Sequence, residues 1–169
     1  MRNEKLYESN FDWSLTGPTQ KESGVTAAVS NISINEIIRG ELSAVEACSK
    51  LEDQFKEMNE GDCLKELVSD HKKAVRFWKK EAVTGGAYPE GDSGLWGSLV
   101  SAYIGLSKLF SERLALQALK EGENYGLSYY KRMLNRDELT EFQKAAINRT
   151  FIPKQKQHIQ QINTIKESF

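Results

Sequence analysis

Histidine, cysteine and proline are all scarce in this chain of 169 residues, which has two, two and three of them. Two histidines exclude a histidine-rich metal site and make the position of each one informative. The two cysteines, Cys48 and Cys63, form neither a CxxC motif nor a disulfide framework. The sequence also lacks GxGxxG, P-loop and GxSxG motifs. It therefore predicts a fold and a site more readily than a reaction, and whether the protein is an enzyme stays open.

A charge of one sign and a long apolar run are absent as well. The 23 basic and 24 acidic residues leave a formal net charge of −1, so we expect no nucleic-acid partner. No apolar run approaches the ~18 residues that a membrane span needs, and no signal peptide is visible at the first residues. Together with two cysteines that fit a reducing compartment, these features predict a cytoplasmic location.

Hydrophobic residues recur at helical spacing in four segments, and none alternates with period two for long enough to predict a strand. Ser33 with Glu36 matches a capping box at the start of the first helix, and Ser111 is a candidate cap for the third. Pro153 lies inside the fourth helix and should kink it. The predicted helices are residues 33–58, 62–83, 112–134 and 138–166.

A long connection separates the second and third predicted helices. It consists of a glycine-rich loop, residues 84–94, and an almost wholly apolar segment, residues 95–110, which predicts a short helix. Two helical hairpins joined by one long crossover predict an all-α, ferritin-like four-helix bundle over residues 31–169. Residues 1–30 are predicted to be an N-terminal tail, extended or disordered. The apolar crossover also suggests self-association as a dimer.

One ionisable residue interrupts the apolar stripe of each predicted helix, and a buried charge must be paired, bound to metal or neutralised. Di-iron carboxylate proteins bind metal with inward Glu and His side chains, including a Glu-x-x-His motif on two helices. Here Val68 and Gln155 stand three residues before the histidines, so two carboxylates of a full di-iron site are missing. The four candidate residues are Glu41, His71, Glu123 and His158.

Counting ~1.5 Å per residue from the predicted turns places the four candidates in two layers, ~10–12 Å apart. One layer holds Glu41 and Glu123 near Arg149, and one interpretation is a buried ion network that fixes helix register. The other layer holds His71 and His158, either as hydrogen-bonded core histidines or as part of a metal site. Glu46 and Glu112 are the candidate partners of the histidines at that level.

Other residues have a structural and a functional interpretation. Tyr125, Tyr129 and Tyr130 suit core packing, or hydrogen bonding near a metal. Cys48, on the inner stripe of the first helix, is interpreted as a small hydrophobe. Small residues in the third helix, such as Ala118 and Gly122, predict a close approach of a neighbouring helix.

Several segments resemble one family in their order and spacing. Residues 39–47 resemble its first helix, residues 70–75 its second, residues 94–98 and 120–130 its crossover and third helix, and residues 153–159 its fourth. Over about residues 33–165 the chain thus resembles the ferritin-like family known as domain of unknown function 2383. The resemblance implies a ferritin-like fold and a bacterial, stress-associated, mostly cytoplasmic setting, but no reaction. The four candidate residues match family positions that, by analogy with ferritins and rubrerythrins, are candidate ligands.

Two functions follow as hypotheses. In the first, a small ferritin-like bundle binds Fe, Mn or Zn, with Glu41 and Glu123 as bridging or terminal ligands and His71 and His158 as terminal ligands. In the second, the protein is a metal-free, dimerising structural or interaction bundle whose buried charges set helix register.

Overall fold

The structure is a computed structural model that describes residues 24–58, 60–89, 91–93 and 111–169, with side chains from residue 33 onward. All regular structure in these residues is helical, which confirms the predicted all-α class. None of the described helices combines the length and apolar character that crossing a bilayer requires. The helices are α1 (Gly24–Phe55), α2 (Glu60–Thr84), α3 (Glu112–Met133) and α4, which passes through Glu141–Ala146, Ile147–Phe151 and Ile152–Glu167.

The four helices form two hairpins that pack side by side. Short connections reverse the chain between α1 and α2 and between α3 and α4. His71 contacts Glu123 and, seven residues further along both helices, Trp78 contacts Tyr130, so α2 and α3 run parallel. A long connection between parallel helices is therefore needed, and residues 85–111 supply it.

Two apolar clusters fill the ends of the bundle and leave a polar layer between them. Each cluster contains side chains from all four helices, so each helix is anchored on both sides of that layer. The first, which we name the Trp78 cluster, includes Ile34, Ile38, Trp78, Tyr130, Ile147 and Phe151. The second, the Leu116 cluster, includes Cys48, Leu51, Phe55, Leu64, Leu67, Leu116 and Ile162.

The start of α1 differs from the sequence prediction. The helix begins at Gly24, so Ser33 is buried inside it and the predicted capping box is wrong. Glu36 instead accepts a hydrogen bond from the Tyr129 hydroxyl at 2.6 Å. Residues 24–30, predicted as part of a tail, are helical. The tail prediction for residues 1–23 and the short helix predicted in residues 95–110 lie outside the described residues.

The cap of α3 is confirmed, because the Ser111 hydroxyl accepts a hydrogen bond from the backbone N–H of Leu114 at 3.3 Å. The predicted disturbance at Pro153 coincides with a π-helical segment, Ile147–Phe151, directly before it. Proline has no N–H, and in an α-helix its ring clashes with the carbonyl group four residues earlier, which here belongs to Arg149. The wider π turn contains that carbonyl, and α-helical geometry resumes at Ile152.

Gly61 is required where α2 starts against the end of α1. A Cβ atom built on Gly61 would lie 2.8 Å from the Phe55 carbonyl oxygen and 3.2 Å from the Lys56 Cα. Both neighbours are backbone atoms, so we expect Gly61→Ala to lower the free energy of unfolding by about 1–3 kcal/mol. Gly122→Ala is the matched control, because in the described part of the chain no atom beyond its chain neighbours and its own helix backbone lies within 4 Å of its Cβ position.

Since alanine favours a helix interior over glycine by about 0.5–1 kcal/mol, the Gly122 variant should be slightly more stable than the wild type. Urea unfolding of both variants measures the difference. Equal stability of the two would contradict the close contact at Gly61.

Candidate metal centre

The structure brings the four candidate residues together, one from each helix. His71 Nδ1 lies 2.7 Å from Glu41 Oε2, and His71 Nε2 lies 3.0 Å from Glu123 Oε1. The other oxygen of Glu123 lies 3.3 Å from His158 Nδ1, and the two imidazole centroids are 4.9 Å apart. All four residues are at most 5% exposed. We name this group the polar layer.

The predicted separation into two layers is wrong. Because α1 ends at Phe55 and α2 begins at Glu60, Glu41 lies 14 residues before the turn and His71 lies 11 residues after it, which brings the two side chains to nearly one level. The other partners also differ. Arg149 is exposed, and Glu46 accepts a hydrogen bond from Ser93 in the crossover at 2.6 Å.

Hydrogen bonds extend the polar layer at the Glu41 end into the Trp78 cluster. The Tyr130 hydroxyl donates to Glu41 Oε1 at 2.6 Å and itself accepts from Trp78 Nε1 at 3.0 Å. The ring of Tyr130 packs in the core, as predicted, and its hydroxyl bonds the candidate ligand Glu41. This chain of bonds fixes the orientation of the Glu41 carboxylate.

At the other end of the polar layer, His158 lies beside the carboxylate of Asp70, which pairs with two lysines at the surface. His158 Nε2 lies 3.5 Å from Asp70 Oδ2, and Asp70 is paired with Lys154 at 2.8 Å and Lys73 at 2.9 Å. Burial alone would raise the pKa of Asp70, but hydrogen bonds from His158, Lys154 and Lys73 hold that pKa well below its usual range. The negative charge of Asp70 is thus compensated outside the layer.

Burial and charge oppose each other at His71. Burial alone would lower the pKa of His71, but the carboxylates of Glu123 and Glu41 raise that pKa well above its ordinary value. Burial would also raise the pKa of Glu123, yet the charge of His71 and the hydrogen bond from His158 lower that pKa to about 2. Both ring nitrogens of His71 lie within hydrogen-bonding distance of a carboxylate, an arrangement that favours the doubly protonated imidazolium form.

The two positions that lack the glutamates of a di-iron site have other roles. Val68 is buried in the Leu116 cluster. Gln155, with its amide nitrogen turned toward Glu123, donates to the Glu123 backbone oxygen at 3.0 Å and to Oε2 at 2.7 Å. The polar layer therefore has fewer carboxylates than two metal ions require.

Sequence reasoning missed Cys48 as a candidate ligand. Its sulfur, a nitrogen of His71 and an oxygen of Glu123 all lie within 4.8 Å of one another, and all three side chains are buried. Cys48 follows Glu41 by seven residues, which is two helical turns, so both project from the same face of α1. That spacing is the signal that places Cys48 beside the polar layer.

A cavity of about 640 Å³ between α1 and α3 reaches the polar layer. Its walls include Glu41, His71 and Glu123 together with small residues. Apart from chain neighbours and the backbone of the same helix, no described atom lies within 4 Å of a Cβ built on Gly40 or Gly122. Among the described residues, these small side chains leave space between α1 and α3. The close approach predicted at Gly122 stays a prediction.

Comparisons with protein-family models, curated proteins and solved structures found no match for this chain.

Proposed function

We propose that this protein is a ferritin-like four-helix bundle that binds one transition metal ion, Fe, Mn or Zn, in its polar layer. The observation that carries the proposal is the convergence of Glu41, His71, Glu123 and His158, one from each helix, on contacts of 2.7–3.3 Å in the buried middle of the bundle. Carboxylate and imidazole groups at such a point are the ligands that these metals prefer.

The topology supports the ferritin-like part of the proposal. Ferritin-like bundles consist of two antiparallel hairpins joined by one long crossover, so that the second and third helices run parallel. The contacts of His71 with Glu123 and of Trp78 with Tyr130 give this direction for α2 and α3. The expected stress-related role stays a prediction from the family resemblance.

The negative charge of the two carboxylates in the polar layer favours the binding of a cation. Two buried carboxylates, Glu41 and Glu123, flank His71 at 2.7 and 3.0 Å, so a proton on His71 Nε2 would occupy the place between nitrogen and carboxylate where a metal would bind both. A metal ion carries more charge than that proton and would stabilise the buried carboxylates further. The cavity between α1 and α3 is an entry path to this point.

The metal-free alternative has its own supporting observation. Both ring nitrogens of His71 already have carboxylate partners, and Tyr130 completes the hydrogen bonding of Glu41. Such a satisfied network would fix the register of the four helices without any metal. In that case the protein is a structural or interaction bundle.

Metal analysis of protein purified without a histidine tag separates the two functions. We expect about one equivalent of Fe, Mn or Zn per chain, and an increase in melting temperature when metal is added to the metal-free protein. A variant with both His71→Ala and His158→Ala should lose both signals. Less than about 0.1 equivalent, with no thermal shift, would favour the metal-free bundle.

A further inference from the structure

We propose that the metal ligands in the polar layer are the Cys48 thiolate, His71 Nε2 and the Glu123 carboxylate, and that Glu41 acts as a positioning residue rather than a ligand. This inference rests on the proposed metal-binding function. It assigns a role to a cysteine that sequence reasoning interpreted as a hydrophobe, and it names the class of metal.

The distances among these three groups fit one tetrahedral ion. Ligand atoms at ~2.0–2.3 Å from a tetrahedral zinc lie about 3.3–3.6 Å from one another. His71 Nε2 and Glu123 Oε1 are 3.0 Å apart, and the sulfur of Cys48 lies within 4.8 Å of ligand atoms of both residues. Shifts of about an ångström in three side chains on α1, α2 and α3 would therefore complete the set.

Glu41 lies on the opposite side of the His71 ring. Its Oε2 bonds Nδ1, whereas Glu123 bonds Nε2, so the imidazole separates the two carboxylates. A ligating histidine usually donates its other ring N–H to a carboxylate, which fixes the tautomer and the ring orientation. Tyr130 in turn holds Glu41 at 2.6 Å. The chain from Tyr130 through Glu41 to His71 thus presents Nε2 to the metal.

Sulfur in the ligand set selects the metal. Thiolate favours Zn²⁺ over Mn²⁺, and zinc accepts sulfur, nitrogen and oxygen ligands together. Cysteine binds metal as the thiolate, so binding of the ion releases the Cys48 proton to solvent. Three protein ligands leave a fourth position, which His158 or a solvent molecule from the cavity would occupy.

Cobalt(II) tests the ligand set because a thiolate bound to it absorbs in the near ultraviolet through sulfur-to-cobalt charge transfer. Metal-free wild type, titrated with Co²⁺, should develop this band and saturate at one ion per chain. Cys63→Ser is the decisive variant, since it leaves Cys48 as the single cysteine of the sequence. We expect it to keep the band in full, and Cys48→Ser to lose it.

Glu41→Gln completes the test. As the variant of a positioning residue it should keep the band while its dissociation constant for Co²⁺ rises about 10–100-fold.

Each result either supports or overturns the inference. If Co²⁺ binds with a thermal shift but without the band, Cys48 is not a ligand, and the proposed function survives with the Glu and His residues alone. A band that disappears in Cys63→Ser also overturns the inference. If Co²⁺ and Zn²⁺ both fail to bind the wild type, the inference is overturned. The proposed function fails with it if Fe²⁺ and Mn²⁺ do not bind either. Because Cys63 is only partly buried, its serine variant should fold normally, and the test does not depend on the stability of Cys48→Ser.

Discussion

Replacing Glu123 with alanine should lower the free energy of unfolding of the metal-free protein by about 3–5 kcal/mol. Glu123 accepts hydrogen bonds from His71 and from Gln155 and lies 3.3 Å from His158. Its removal leaves the buried imidazolium of His71 with one carboxylate instead of two, and removing one member of a buried ion pair typically costs this much. Urea unfolding of the metal-free wild type and the variant measures the difference.

Glu121 provides the matched control, because it lies two residues earlier on α3 with an exposed side chain. Glu121→Ala should change stability by no more than about 0.5 kcal/mol. Glu123→Gln should be intermediate, since its amide oxygen still accepts one hydrogen bond. A loss in Glu123→Ala as small as that in Glu121→Ala would show that the polar layer does not hold the helices together.

The apolar faces of the helices were predictable from the sequence. The α2 stripe, which includes Leu64, Leu67, Val75 and Trp78, is buried throughout. Its spacing follows the helical repeat. The hydrophobic effect favours burial of such an apolar face whichever helices pack against it, so burial could be predicted without knowing the partners. The capping box at Ser33 failed because a Ser-x-x-Glu pattern is local, and nothing in it distinguishes a helix start from a helix interior.

The assembly of the polar layer was not predictable by counting residues. Residues 134–140 separate α3 from α4, so the two helices need not start at one level. The π segment Ile147–Phe151 also adds residues without adding the usual rise. The helical periodicity of the sequence predicted that Glu123 and His158 face inward. Their contact depends on the connection between α3 and α4 and on the π segment, which the periodicity does not show.

Acid should destabilise the metal-free protein through Glu123. Its pKa is lowered to about 2 in the folded protein, whereas an unfolded chain has a glutamate pKa of about 4.3. A carboxylate whose pKa is lowered by folding stabilises the folded protein. This contribution is complete at a pH above the pKa of the unfolded chain, and it is lost as the pH falls through the pKa of the folded protein. The difference of about two units corresponds to roughly 3 kcal/mol, which should disappear between about pH 5 and pH 2.

The stability that His71 contributes depends on pH in the opposite direction. Its pKa is raised well above the ordinary value of about 6.5, so its contribution is complete below that pH and is lost as the pH rises through the folded pKa. The metal-free protein should therefore be most stable near pH 5–6, where both contributions are complete. Unfolding free energies across pH 2.5–9 test this dependence.

The Glu123→Gln variant isolates the acidic side of the profile. Because glutamine does not titrate, the stability of this variant should fall by roughly 3 kcal/mol less than that of the wild type between pH 5 and pH 2. Asp70 and the other carboxylates titrate in both proteins, so the difference between the two profiles belongs to Glu123. Parallel profiles would mean that His71 and Glu123 are not an ion pair in the metal-free protein. The proton between them would then be no substitute for a metal ion.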